Sequence, residues 1–75
     1  MVEKTDWEMK AANLLKAELK RKGVTYAGLV ERLADIGVQE KEVNVRNKLS
    51  RGKFTAAYLI QCLSAIGCQR LDFTL

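Results

Sequence analysis

Four apolar stripes in this chain each run into a glycine, and no proline interrupts any of them. Gly23, Gly37, Gly52 and Gly67 stand just past the last periodic residue of each stripe, where α-helices ordinarily stop. A chain punctuated in this way is restricted to a short succession of helices joined by tight turns. The pattern predicts an all-α fold, a compact four-helix domain.

The stripes set the helix limits. Thr5-Asp6-Trp7-Glu8 has the spacing of a capping box, and Trp7, Ala11, Leu14, Leu15 and Leu19 then recur on one face. Residues 6 to 22 therefore read as an amphipathic helix with Trp7 as its packing anchor. Thr25 caps a second helix, about 25 to 36, with Tyr26, Leu29, Val30, Leu33 and Ile36 inward. Gly28, inside that helix, permits close packing. The segment Val38 to Val43 is polar and acidic, and Glu40 and Glu42 suit the positive end of a third helix placed at about 41 to 50. Thr55 caps a fourth, about 56 to 66, striped by Ala56, Leu59, Ile60, Leu63 and Ile66. Beyond it Leu71, Phe73 and Leu75 alternate with polar residues, which is strand spacing. The chain thus divides into an N-terminal arm (1–5), a helical domain (6–67) and a strand-like tail (68–75) that is a candidate dimerisation element through Leu71, Phe73 and Leu75.

At 75 residues the chain is one small domain, which buries only roughly 60% of its unfolded surface. A core and an enclosed catalytic cavity do not both fit, so function belongs on an outer face. There is no histidine, no glycine-rich phosphate loop and no nucleophile with a matched base, so an enzyme is not expected. Cys62 and Cys68 lie about 9 Å apart along a helix axis, beyond disulfide reach. Two thiols without histidine make a poor zinc site, so neither metal nor cofactor is expected, and free thiols are. The start of the chain does not resemble a signal peptide, and no apolar run reaches membrane-spanning length. A soluble cytoplasmic protein, with no membrane partner and no small-molecule substrate, is the expectation.

The net charge of +4 is concentrated in two blocks, residues 16–22 and 44–53. Lys20-Arg21-Lys22 suits a solvated helix end. The second block is different. Asn44-Val-Arg-Asn-Lys-Leu-Ser-Arg-Gly-Lys53 has four basic side chains and no acidic one. Val45 and Leu49, four apart, can pin it to a core from beneath while Asn44, Asn47, Lys48 and Arg51 face outward. Lysine and arginine suit phosphates or guanine edges, asparagine suits adenine, and helix N-termini such as those after Thr25 and Thr55 suit phosphates.

The run Gly23-Val-Thr-Tyr-Ala-Gly-Leu-Val-Glu-Arg-Leu-Ala34, followed by Asn47-Lys-Leu-Ser-Arg-Gly-Lys53 and Leu59-Ile-Gln-Cys-Leu-Ser-Ala-Ile-Gly67, resembles the phage-repressor-type (lambda repressor-like) helix-turn-helix regulators of bacteria. Over roughly residues 7 to 68 the chain is more closely similar to a small uncharacterised bacterial domain family without an assigned activity. The regulator resemblance implies a helix-turn-helix domain that binds double-stranded DNA, as in a bacterial transcriptional regulator. It places Tyr26 at a phosphate-contacting position, Asn44, Asn47 and Lys48 at outward recognition-helix positions, and Arg51 and Lys53 at the basic positions flanking the glycine. With the chemistry of the residues themselves, the candidate base contacts are Asn44, Asn47, Lys48 and Arg51, and the candidate phosphate contacts are Tyr26, Thr25, Arg46, Lys53 and Thr55. From Leu29 to Gly52 the chain is several residues longer than that family's usual span, and a strand-like tail stands where many members have a fifth helix. The alternative reading is a protein-protein interaction module that uses the basic face, or the tail, for assembly.

Overall fold

A computed structural model describes residues 6–71 of the chain. Four helices follow one another: α1 (Asp6–Lys22), α2 (Tyr26–Asp35), α3 (Glu42–Arg51) and α4 (Ala56–Ala65). All four lie within about a residue of the sequence expectation, because their ends are chemically marked. The Thr25 hydroxyl accepts the Gly28 N–H at 3.0 Å, and the Thr55 hydroxyl accepts the Tyr58 N–H at 3.0 Å. Each satisfies an amide that the first helical turn leaves without a carbonyl. Gly28 makes its close approach to its own cap: a Cβ there would lie 3.3 Å from the Thr25 hydroxyl.

Three of the four helices close in the same way. The N–H of Val24 reaches the Leu19 carbonyl, that of Val38 the Leu33 carbonyl and that of Cys68 the Leu63 carbonyl, each at 2.9 Å. This is the six-to-one bond of a Schellman turn, and the residue after the glycine packs back against the core in all three cases. α3 ends otherwise. Gly52 bonds singly to Lys48 at 2.9 Å, and the residue after it is the exposed Lys53.

α1 packs on α3 and α4, and α2 packs on the same two helices. Leu15 and Leu19 of α1, Leu29 and Leu33 of α2, Val45 and Leu49 of α3, and Tyr58, Cys62, Leu63 and Ile66 at α4 form one apolar core. Both cysteines are free thiols; Cys62 is buried and Cys68 half-buried.

The structure corrects the inward faces at four positions, one of them Ala56, which is exposed in the first turn of α4. Trp7 is 77% exposed and anchors nothing in the core. It sits in the first turn of α1, and the first α1 residue of the core cluster, Leu15, comes a full two turns later. Ile36 is exposed because α2 ends at Asp35 and Ile36 already belongs to the turn. Ile60 is 62% exposed because α4 turns Tyr58, Cys62, Leu63 and Ile66 to the core. α4 is apolar nearly all round, so periodicity did not select its face; contact with α1 and α2 did.

Among the described residues of the tail, Cys68 to Leu71, none is in a strand, and Leu71 is half-buried against the core. The arm at 1–5, including the Thr5 end of the capping box, lies outside the described residues, as do Phe73 and Leu75. No helix among the described residues is long and apolar enough to cross a membrane.

Candidate nucleic-acid interface

The narrow apolar stripe of α3 holds it as the spacing requires. Val45 and Leu49 are fully buried, and Asn44, Arg46, Asn47 and Arg51 are exposed on the remaining surface. The helix begins at an unusual cap. Lys41 offers no side-chain acceptor to the first turn. Instead the Glu40 carboxylate, one residue before the cap, accepts the Lys41 N–H at 3.0 Å.

Most of the block's cations are not bare. Arg46 pairs with Glu42 at 3.0 Å, Lys48 with Glu40 at 3.0 Å and Lys53 with Glu8 at 2.9 Å. Arg51 has no ion pair among the described residues, and it is the one cation of the block standing so. The three pairs differ in solvent access. Both side chains of Arg46–Glu42 are half exposed, and Lys53 is open while Glu8 is partly covered. Such pairs contribute roughly 0–1 kcal/mol and exchange easily for another anion. In Lys48–Glu40 the carboxylate side chain is only 5% exposed.

Lys48 is held from a second side as well. Its ammonium lies 4.2 Å from the centroid of the Tyr58 ring, which is itself buried and tilted against Phe54. The buried Tyr58 hydroxyl has no partner in hydrogen-bonding geometry among the described residues. Burial, with the nearby Cys62 and Glu40, pushes its pKa well above the ordinary phenol value. Burial likewise pushes the Cys62 thiol up to about 11. At Glu40 burial works in the raising direction, but the Lys41 amide, Lys48 and the neighbouring Tyr58 hydroxyl outweigh it, so the carboxyl stays below its ordinary value. Glu40 is therefore a charged carboxylate under the N-terminal end of α3, and Lys48 is its counterion.

The expected phosphate contacts are distributed over other elements. Thr25 and Thr55 are exposed, but their hydroxyls already serve as helix caps. Tyr26 is half-buried and lines an open groove of about 370 Å³ with Lys16, Lys20 and Thr25, floored by Leu19 and Val24. The first basic block is thereby divided. Lys16 and Lys20 border this groove, whereas Arg21 pairs with the buried Glu18, whose carboxylate also receives the Cys68 thiol at 3.5 Å. Among the described residues no cluster of histidine, cysteine and carboxylate side chains is arranged to hold a metal ion.

The sequence places Glu8 and Glu40 at helix starts but not in these ion pairs, because neither pairing follows a one-helix spacing rule. Glu8 meets Lys53 across the contact between α1 and α3, and Glu40 reaches Lys48 over the helix start. Only Glu42–Arg46, four apart on one helix, follows a local rule.

The family model described as Domain of unknown function (DUF6471) matches residues 7–71. The chain belongs to that family. Its description names no activity, and it extends over all four helices and both turns that flank α3. No curated protein and no solved structure matches the chain significantly.

Proposed function

We propose that this domain binds double-stranded DNA through the outer face of α3, in the manner of a helix-turn-helix module of a bacterial regulator in the cytoplasm. The observation that carries the reading is the division of α3 into two sides. Val45 and Leu49 are sunk in the core, while Asn44, Asn47 and Arg51, which has no ion pair among the described residues, stand together in water. Asparagine amides and an arginine fork are the groups that read adenine and guanine edges in a major groove. Arg46, half exposed like its partner Glu42, and Lys53, open beside a partly covered Glu8, exchange these carboxylates for phosphates at modest cost, and phosphate contacts of this kind supply most of the affinity. Lys16 and Lys20, beside the N-terminal turn of α2, extend the positive surface to a second helix end.

The connection from Ile36 to Lys41 is longer than the tight turn of the phage-repressor pattern, so α3 enters the groove at its own angle relative to α2. Fluorescence anisotropy with labelled duplex DNA tests the proposal. Arg51→Glu with Arg46→Glu is expected to abolish binding while the helical signal in circular dichroism is retained. Binding that persists in this variant excludes the α3 face.

A second reading, self-assembly at the tail side, is favoured by one observation. Ile60 stands 62% exposed beside Leu63 and Leu71 around a shallow groove of about 210 Å³. An exposed isoleucine next to a half-buried Leu71 is the kind of patch a homodimer covers. Sedimentation of Ile60→Glu separates the readings: a dimer lost with DNA affinity kept assigns this patch to assembly.

A further inference from the structure

We infer that Glu40 sets how much of the α3 charge is available to a polyanion, by withholding Lys48 from it. The inference deepens the DNA-binding reading and rests on it. Three features of the pair carry it together. The Glu40 side chain is 5% exposed, so it is not readily displaced by solvent or salt. It is fixed by two donors, the Lys41 amide and the Lys48 ammonium, both at 3.0 Å. The ammonium is in addition 4.2 Å from the Tyr58 ring centroid, so leaving for a phosphate would break a charge pair and a cation–π contact at once. It would also strand a carboxylate with little access to water, which is the costly half of breaking such a pair.

The other two pairs of the block lack this restraint. Glu42 and Arg46 are both half exposed, and Lys53 is open with its partner Glu8 29% exposed, against 5% for Glu40. Within one ten-residue basic stretch the fold thus keeps two exchangeable cations, one without an ion pair among the described residues, and one that is internally neutralised. The consequence for recognition is a difference in kind. Every cation that joins phosphates adds sequence-independent affinity and steepens its salt dependence, whereas asparagine and arginine contacts to base edges carry the discrimination. By holding Lys48 back, Glu40 keeps the non-specific share low, and it is a specificity-determining residue that need not touch DNA.

The test is the salt dependence of binding to a random-sequence duplex, measured by anisotropy between low and moderate salt. Glu40→Gln, which keeps the shape and the acceptor for the Lys41 amide, is expected to tighten binding and to steepen the slope of log K against log salt by about one. Adding Lys48→Met to Glu40→Gln is expected to return the slope to that of the unmodified chain. Glu42→Gln removes the same charge from a pair that already exchanges, and a much smaller change is expected. Equal effects of Glu40→Gln and Glu42→Gln would mean general electrostatics and would overturn the inference. So would an unchanged slope in a Glu40→Gln protein whose circular dichroism shows native helix content. Failure of the unmodified chain and of every variant to bind duplex DNA removes the binding reading and this inference with it. Binding by the unmodified chain with no response to Glu40→Gln removes the inference alone.

Discussion

Gly52 lies against the backbone of Glu8: a Cβ added to the glycine would stand 2.6 Å from the Glu8 carbonyl oxygen and 2.8 Å from its carbonyl carbon. The end of α3 and the first turn of α1 therefore touch backbone to backbone, and the Lys53–Glu8 ion pair lies directly above that contact. Gly52 also has φ +69°, a left-handed conformation that side chains disfavour. Two separate requirements converge on one residue. Gly52→Ala is expected to destabilise the domain by about 2 kcal/mol or more, since neither the conformation nor the contact relaxes without moving a helix. Gly23→Ala, left-handed but with no atom within 4 Å of the new Cβ, is expected to cost only about 1–2 kcal/mol. Thermal melts of the two variants compare them directly, and equal losses would mean that the contact with Glu8 contributes nothing.

The two threonine caps offer a separate measure of local stability. Thr25→Ala and Thr55→Ala each remove the acceptor of one first-turn amide, and each is expected to cost about 1 kcal/mol in chemical denaturation. Replacement by serine or aspartate is expected to restore most of it. Under the DNA-binding reading, Thr25→Asp would in addition weaken binding by placing a negative charge at the mouth of the groove beside Lys16 and Lys20.

How far the sequence reaches is visible in these same residues. The helices were legible because threonine starts and glycine ends are local chemistry, and because the stripes of α2 and α3 each have a single apolar side. The faces of α1 and α4 were less so. Trp7 shares the phase of Leu14 and Leu15 yet stands 77% exposed, although its neighbour Glu8 meets the end of α3, and α4 offers apolar residues on nearly every side. At the candidate site the anchor residues Val45 and Leu49 were predictable from their spacing of four. The state of the charges was not, because Glu8 meets Lys53 only once α1 and α3 pack, and Glu40 meets Lys48 only once the chain before α3 folds back over the helix start. A run of four cations without an acid in sequence becomes, in space, a run in which three have acids beside them.

The carboxylates make the stability acid-sensitive, with a definite sign. Burial opposes the Glu40 charge, but the Lys41 amide and Lys48 hold its pKa below the ordinary carboxylate value of 4.5. At Glu18 the Arg21 hydrogen bond does the same, with the Cys68 thiol assisting. A carboxyl with a depressed folded-state pKa contributes stability that is fully present above its unfolded value and is lost as pH falls through the folded one. The melting temperature is thus expected to be level near neutrality and to drop from about pH 4.5 downward. Glu40→Gln and Glu18→Gln should lower the neutral plateau and flatten the acid limb. A variant with an acid limb as steep as that of the unmodified chain would show that its carboxylate contributes nothing to the transition.

The thiols should separate by reactivity. Cys62 is buried and its pKa is pushed up to about 11, chiefly by burial, so little thiolate forms at neutral pH. Cys68 is half-buried at the surface turn after α4, with its sulfur 3.0 Å from the Arg70 carbonyl. A colorimetric thiol assay on the native protein is expected to register one fast equivalent, from Cys68, and a second only as the domain unfolds. Cys68→Ser should remove the fast phase.

Trp7, the chain's one tryptophan, provides the last test, and it bears on the DNA-binding reading as well as on the fold. Its ring is 77% exposed in the first turn of α1, with the Lys10 ammonium 5.8 Å from its centroid. Its neighbour Glu8 touches Gly52 and pairs with Lys53, which places the indole at the α3 end of the molecule. Its fluorescence is therefore expected to have a solvent-exposed emission that acrylamide quenches freely and that shifts little on unfolding. Trp7→Ala should change stability by no more than about 0.5 kcal/mol, the scale of an ordinary surface substitution. Because Lys53 is a proposed phosphate contact, duplex DNA bound on α3 should alter the emission intensity or its quenching, whereas a partner bound only beside Ile60 and Leu71 should leave both unchanged. A native emission typical of a buried indole would mean that Trp7 is covered after all, and that the first turn of α1 does not border open solvent beside Lys53.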